Sequence, residues 1–389
     1  MKNDYGITPL MSACSYNPNI EIFNYLLENG ANISECDNQG SEVFIFSMIN
    51  PNLEIAKRLI ELGADIHSKN RNGENILMVA LRNRANLEII NYIISLGINV
   101  NEKDNYGIPS IAFAATYNPY PEVLDLLIKK GEDINYKNKD NVNLLHLAAS
   151  GNSSEKVIEY LFDKGIDIHS LTSKYETPLI LSVSRNSNFN VFKKLLEKGA
   201  NIRDTDRCKN NLLLFAAGWN ENPVFIDYLL KNGFSINDKD SSGNTPVIYA
   251  AQNSNINIIK ILVEKGADLK SANDYGLTPL FLCSNGDLGN NIEMARYLIE
   301  KGVDVNAKTD EGRTALMQAA CTMTDPEYIE LLIAAGADVF AETNNGYNAY
   351  KVAVENNPNP AIAETIKKYM TMASFKETSF DIPSKDVIN

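Results

Sequence analysis

The chain has 389 residues, of which 44% are hydrophobic, and its formal net charge is −13. This apolar content excludes a disordered chain, and the acidity argues against nucleic acid or an anionic membrane surface as the main partner. No stretch approaches the roughly 18 apolar residues of a membrane span, and the first residues form a turn rather than a signal peptide, so no membrane insertion is expected.

The five cysteines are scattered along the chain and form no CxxC pair; they are Cys14, Cys36, Cys208, Cys283 and Cys321. This pattern favours reduced thiols over a disulfide framework. It predicts a reducing compartment and therefore a cytoplasmic location.

A glycine closes a leucine-rich run every 33 to 36 residues along the chain. These closing glycines are Gly30, Gly63, Gly97, Gly131, Gly165, Gly199, Gly233, Gly266, Gly302 and Gly336. Self-similarity at this period is typical of a solenoid, in which each repeat buries its apolar surface against its neighbours.

Each repeat begins with a turn such as Asp4-Tyr5-Gly6 or Asn105-Tyr106-Gly107. Such turns favour positive φ and a hairpin reversal. A short helix follows and often starts with Thr-Pro-Leu, as at Thr8-Pro9-Leu10. Threonine caps the free N–H groups there, and proline suits the first helical position.

A polar loop such as Asn17-Pro18-Asn19 joins the short helix to a longer one, and we interpret it as a local turn that leaves the core unchanged. In the long helix, the positions eight, seven, four and three residues before the closing glycine are apolar or tyrosine, as in Val157, Ile158, Leu161 and Phe162. These offsets predict an amphipathic helix that ends at a glycine C-cap.

These features together resemble the ankyrin repeat, and the segment Asn143-Leu144-Leu145-His146-Leu147-Ala148-Ala149 is close to the Thr-Pro-Leu-His-x-Ala signature of that family. The resemblance covers residues 1 to about 372 as about eleven units. It implies an all-α, ankyrin-like solenoid of stacked helix-turn-helix repeats with short β-hairpin fingertips, its short helices and fingertips lying on a concave side.

Three fingertip glycines are replaced by Asn141, Tyr175 and Lys209, which predicts irregular fingers in units five to seven. The first unit lacks part of its finger, which leaves fraying, end-to-end association or truncation of a longer array as alternatives. A final helix is expected over 361–373, so that the last unit acts as a C-terminal cap. Residues 373–389 are expected to be disordered, with a short linear motif around Phe380-Asp381-Ile382-Pro383 as the alternative.

Four groups of residues are candidate protein-binding sites. Tyrosines recur at one fingertip slot (Tyr5, Tyr106, Tyr275), where they either anchor a partner or cover the next finger. A column on the short helices, which includes Phe46, Phe113, Phe215 and Tyr249, forms either an exposed groove floor or internal packing. The seventh fingertip carries Arg203, Arg207 and Lys209, which either receive an anionic peptide or are neutralised by Asp204 and Asp206. Trp219, assigned to the adjacent loop, is either an anchor or a lid on the core.

No catalytic, metal-binding or cofactor-binding constellation is evident in the sequence, so we predict no enzyme activity and no cofactor. The resemblance implies a protein–protein interaction module that binds partner proteins on its concave surface and fingertips and acts as an adaptor, scaffold or inhibitor. We expect a monomer. The alternative is the targeting or regulatory arm, or a fragment, of a larger enzyme or channel assembly.

Overall fold

The computed structural model describes residues 2–50, 52–253, 255–286 and 292–379, with side chains as far as Ser374. The chain divides into two compact units, residues 1–206 and 207–389. Along both units, helices of five to eight residues alternate with helices of eight or more residues, which we call the short and the long helices. The first unit contains α1 Pro9–Tyr16, α2 Ile20–Glu28, α3 Val43–Ser47, α4 Leu53–Glu61, α5 Ile76–Arg82, α6 Leu87–Ser95, α7 Ser110–Tyr117, α8 Pro121–Lys129, α9 Leu144–Gly151, α10 Glu155–Asp163, α11 Pro178–Arg185 and α12 Phe189–Glu197.

The second unit contains α13 Leu212–Trp219, α14 Val224–Lys231, α15 Pro246–Ala250, α16 Ile256–Glu264, α17 Pro279–Cys283, α18 Ile292–Glu300, α19 Ala315–Thr322, α20 Pro326–Ala334, α21 Ala349–Asn356 and α22 Pro360–Ser379. Within each unit, successive short helices pack on one another, as α7 packs on α9, and each also packs on the longer helix that follows it. The all-α solenoid of stacked helix-turn-helix repeats is therefore confirmed. Among the described residues, the fingertips contain isolated β-bridges instead of a sheet, including Lys103 with Pro109 and Lys137 with Asn143.

The ends of the short helices follow the predicted capping chemistry. Thr8 Oγ1 accepts a hydrogen bond from the Met11 N–H at 3.2 Å, and Thr278 Oγ1 accepts one from the Phe281 N–H at 3.2 Å. In each case proline occupies the first turn, where its missing N–H leaves no hydrogen bond unmade. The Thr-Pro-Leu segments thus begin helices as the sequence indicates.

The long helices bury most of the predicted stripe: in α6 and α10 three of its four positions are buried and the fourth is half-buried, whereas α2 buries Phe23 alone and leaves Ile22 42% exposed. In α10, Val157, Ile158 and Leu161 are fully buried, and in α6 Ile89, Ile90 and Ile93 are buried. The closing glycines have positive φ, for example +102° at Gly131, which an L-residue adopts only with strain.

The loops between the helices of a pair form a ladder of buried asparagine side chains that links neighbouring repeats. Asn152 Nδ2 donates to the carbonyl oxygens of Ala115 and Asn118, both at 2.8 Å, and Asn186 Nδ2 donates to those of Ala149 and Asn152 at 3.0 and 2.8 Å. Equivalent bonds are made by Asn50, Asn118, Asn253 and Asn357. What the sequence presents as a local turn is therefore also a contact between repeats.

The fingers of units five and six are regular, contrary to the expectation from their missing glycines. Asn141 and Tyr175 adopt φ of 59° and 65°, and their N–H groups close the turn at 3.1 and 2.9 Å, as Gly107 does at 3.0 Å. The turn is kept because its hydrogen bonds hold the backbone in the left-handed region. Lys209 also has positive φ, at 63°.

Replacing Tyr175 by glycine is expected to stabilise the protein by about 1 kcal/mol, because the left-handed conformation costs an L-residue about that much. The Tyr175 side chain is 52% exposed, so its removal sacrifices little packing. The midpoint of urea unfolding should rise. The neighbouring Lys174→Gly change should instead lower it, and a fall in both variants would contradict the strain at Tyr175.

The last helix, α22, continues to Ser379, six residues beyond the end predicted at Ala373. The sequence 374–379 contains no proline or glycine, so nothing in it terminates a helix. The predicted linear motif at residues 380–383 lies outside the described residues.

Candidate functional site

Successive fingers of the first unit are joined by one backbone hydrogen bond between their tips. A finger is the turn between a long helix and the next short helix. The bonds run from the N–H of one tip to the carbonyl of the preceding tip: Asn38 to Tyr5 at 3.0 Å, Arg71 to Gln39 at 2.7 Å, Asn105 to Asn72 at 2.9 Å and Ser173 to Asp140 at 2.8 Å. This series is the finger ladder.

The finger ladder is interrupted between the fourth and fifth fingers. The equivalent groups there are the Lys139 N–H and the Tyr106 carbonyl, and neither makes a hydrogen bond within residues 2–50 and 52–206. A methyl group on Gly73 would lie 2.8 Å from the Asn105 nitrogen, whereas beyond its chain neighbours no described atom lies within 4 Å of the same position on Gly107. The two fingers are therefore separated at their tips.

A groove of about 640 Å³ lies where the fourth and fifth fingers meet helices α7 and α9. Phe113 of α7 and Leu147 of α9 form its apolar floor, and Phe113 is only 5% exposed. Tyr106, Tyr117 and Tyr136 also line the groove, and Tyr106 is 73% exposed. We call this site the finger groove.

The floor of the finger groove is held in place by a cation–π contact. The Arg82 guanidinium lies 5.4 Å from the centre of the Phe113 ring and forms an ion pair with the buried carboxylate of Glu74. Glu74 also accepts a hydrogen bond from Asn70 Nδ2 at 2.7 Å. Because the arginine is held by this carboxylate, it fixes the aromatic surface of the floor.

The finger groove is positively charged on an acidic protein. Its lining includes Lys103, Lys137 and Lys139, all exposed, and no lining residue is acidic. None of the three ammonium groups lies within 4 Å of a carboxylate in the described part of the chain. By contrast, Lys129 at the end of α8 and Lys164 and Lys198, which directly follow α10 and α12, are in ion pairs.

The two buried carboxylates on these fingers, Asp104 and Glu132, accept hydrogen bonds from backbone N–H groups. Asp104 Oδ1 accepts hydrogen bonds from the N–H groups of Tyr106 and Ile108 at 2.9 and 2.8 Å. Glu132 Oε1 accepts from the Ile111 N–H at 3.2 Å, in the first turn of α7. These bonds leave the lysines as the exposed charges of the groove.

Glu132 substitutes for a missing helix cap. The N-cap position of α7 is Pro109, which has no side-chain acceptor, so the carboxylate reaches α7 from the following finger. Burial raises the pKa of Glu132 to about 7, although the backbone N–H groups of Ile111 and Ser110 and the charge of Lys103 act in the opposite direction.

The structure brings two of the predicted residues together, because Tyr106 and Phe113 both line the finger groove. The other fingertip tyrosines, Tyr5 and Tyr275, are 76% and 58% exposed and lie elsewhere. In the column on the short helices, Phe113 and Phe215 are buried, while Phe46 and Tyr249 are half-buried. A role in binding stays a prediction for each of these residues.

Trp219 is the last residue of α13 and not a loop residue as predicted, because the helix continues one turn beyond Phe215. Its ring lies 5.4 Å from that of Phe215 and 5.1 Å from that of Tyr249, measured between ring centres, yet Trp219 remains 51% exposed. The hydroxyl of Tyr249 donates to Asp240 Oδ2 at 2.7 Å. Trp219 thus packs against both rings in tilted arrangements and leaves about half of its surface exposed.

The basic residues of the seventh fingertip belong to different units: Arg203 lies in the first, and Arg207 and Lys209 lie in the second. All three are exposed, and their binding role stays a prediction.

Sequence reasoning missed the lysines of the finger groove and two of its tyrosines, Tyr117 and Tyr136. A signal was present, because Lys69, Lys103 and Lys137 follow one another at intervals of 34 residues. Lys69 pairs with Glu102, whereas the other two line the groove, and only the structure shows this difference.

No group of three or more metal-ligating side chains occurs among the described residues, and none of the described helices is long and apolar enough to cross a bilayer. In comparisons with known proteins, a family model described as ankyrin repeats (3 copies) matches residues 10–104, 111–206, 213–309 and 289–371. A search of curated proteins found no match.

Proposed function

Because the chain belongs to the ankyrin-repeat family, whose repeats are generally protein–protein interaction modules and typically non-catalytic, we propose that it binds a partner protein through the finger groove. The interrupted finger ladder carries the proposal. At this junction of the first unit the two fingertips do not bond to each other, and the groove between them exposes Tyr106, Tyr117 and part of Leu147.

Aromatic side chains with lysines around them are suited to recognition. Tyrosine buries a large area with few rotatable bonds, so immobilising Tyr106 and Tyr117 on a partner costs little entropy. The floor is already formed in the unbound protein, since Phe113 is packed beneath Arg82. Binding of this kind suits an adaptor, scaffold or inhibitor, and the cytoplasmic location stays a prediction.

The double variant Tyr106→Ala/Tyr117→Ala should lose captured partners. The intact chain and the variant are immobilised, exposed to lysate of the source cells, and the retained proteins are identified by mass spectrometry. We expect at least one protein held by the intact chain to fall about tenfold in the variant, because central aromatic residues carry most of the binding energy.

The first repeat provides a matched control. Tyr5 and Tyr16 occupy the positions of Tyr106 and Tyr117 in that repeat and are 76% and 81% exposed. Tyr5→Ala/Tyr16→Ala should leave capture unchanged. Equal loss in both double variants would contradict binding at the finger groove in particular, and no loss in either would contradict binding by these tyrosines altogether.

A further inference from the structure

The finger groove combines exposed lysines, two backbone groups without hydrogen bonds in the described part of the first unit, and an apolar floor. We propose that it binds an extended, acidic segment of the partner protein, with one aromatic or large aliphatic side chain of that segment seated over Phe113 and Leu147. This inference rests on the proposed function, and it adds the chemistry of the ligand.

The charge of the groove selects an acidic segment. Lys103, Lys137 and Lys139 line one site, and none of them has an ion-pair partner among the described residues. Asp104 and Glu132 are buried and bonded to backbone N–H groups, so they compete little for these ammonium groups. Carboxylates of a ligand would supply the missing counter-charge.

The backbone at the gap favours an extended segment. The Tyr106 carbonyl and the Lys139 N–H, which would bond to each other in an uninterrupted finger ladder, have no hydrogen-bond partner in the described part of the first unit. An extended peptide offers alternating donors and acceptors along its edge, as in strand addition to an open sheet. Such a segment can satisfy both groups.

The floor requires an apolar side chain. Phe113 and Leu147 lie at the bottom of a groove of about 640 Å³ that Tyr106, Tyr117 and Tyr136 also line. A wholly polar acidic peptide would leave the exposed parts of Leu147, Tyr117 and Tyr136 hydrated and gain only exposed ion pairs, which contribute little. One large apolar residue adds the burial that the lysines cannot provide.

The test is selection from a random twelve-residue peptide library displayed on phage, with the full chain as the target. Enriched peptides are then synthesised, and their affinities for the intact chain and two variants are measured by fluorescence anisotropy. The groove variant is Lys137→Glu/Lys139→Glu. The matched control is Lys130→Glu/Lys156→Glu, which changes two exposed lysines outside the groove lining and gives the same net charge.

We expect enriched peptides that combine several Asp or Glu residues with one Phe, Tyr, Trp, Leu or Ile. Their affinity should fall about tenfold or more in the groove variant and less than about twofold in the control. It should also weaken as salt rises from 50 to 300 mM, because exposed charges are screened. Replacing the single apolar residue of the peptide by serine should weaken binding by a similar factor.

Other outcomes separate this inference from the proposed function. Enrichment of basic or uncharged peptides that lose affinity with Tyr106→Ala/Tyr117→Ala would overturn the acidic ligand and leave the groove as the binding site. If no peptide loses affinity with Lys137→Glu/Lys139→Glu or with Tyr106→Ala/Tyr117→Ala, both the acidic ligand and the finger groove as binding site are contradicted. Circular dichroism of the variants checks that the helical content is unchanged, so that loss of binding reflects the groove.

Discussion

Replacing Asn152 by alanine is expected to lower the free energy of unfolding by about 3 kcal/mol, which is the largest effect we expect from a polar residue outside the site. The Asn152 side chain is fully buried and makes three hydrogen bonds: two from Nδ2 to the carbonyls of Ala115 and Asn118, and one to Oδ1 from the Ser154 N–H. Alanine would leave two buried carbonyl groups and one partly buried N–H group without these partners. Urea unfolding followed by circular dichroism measures the change.

Two further variants test whether the hydrogen bonds cause the loss. Asn190→Ala removes an exposed asparagine of α12 and should change stability by less than about 0.5 kcal/mol. Asn152→Asp keeps the shape but places a carboxylate against two carbonyls, so it should destabilise more at pH 8 than at pH 4, where the protonated acid can donate one bond. Equal effects of the two alanine changes would show that the asparagine ladder contributes nothing.

The asparagine ladder also shows what could be predicted from the sequence and what could not. The start and the end of each helix are marked by residues within the same repeat, such as the cap at Thr8 and the closing Gly131. The repeat architecture could therefore be predicted from the sequence. The partners of Asn152 lie 34 and 37 residues earlier in the chain. A local interpretation of the loop therefore missed them, although the recurrence of asparagine at the repeat period was visible.

The finger groove was only partly predictable, for a related reason. The repeat register placed Tyr106 at an exposed fingertip and Phe113 on a short helix, but register alone gives every repeat the same geometry. The finger groove lies at the junction where the Lys139 N–H does not bond to the Tyr106 carbonyl, although the equivalent bond forms between Asn105 and Asn72. The absence of one backbone bond leaves no trace in residue types.

The histidine of the family signature shows the same combination of local and distant contacts. The buried His146 lies within hydrogen-bonding distance of Asn143 at the start of α9 and of the Glu176 carbonyl, 3.1 Å away in the next finger. Burial lowers its pKa from the ordinary value of 6.5. The unfolded chain therefore takes up the proton first, and this residue's contribution to stability is lost as the pH falls below about 6.5.

Glu132 has the opposite pH dependence, and Glu132→Gln is the variant that should reveal it. The pKa of Glu132 is about 7 in the folded protein, against an ordinary value of 4.5. Between these values the unfolded chain releases the proton while the folded protein retains it, so stability falls as pH rises from about 4.5 to 7. Glutamine keeps the acceptor for the Ile111 N–H without the charge. We expect it to stabilise the protein by about 2 kcal/mol at pH 8, allowing for partial solvent screening, and by nearly nothing at pH 4.

The adjacent Asp133→Asn change is the matched control, because it removes the same charge from an exposed residue whose Oδ1 bonds to the Asn135 N–H. Its effect should be small at both pH values. If Glu132→Gln instead destabilised the protein more at pH 8 than at pH 4, the ionised carboxylate would be a favourable cap for α7 and its burial would carry no net electrostatic cost. A gain confined to high pH would mean that Glu132 caps the helix at the expense of stability, since Pro109 leaves α7 without a side-chain acceptor of its own.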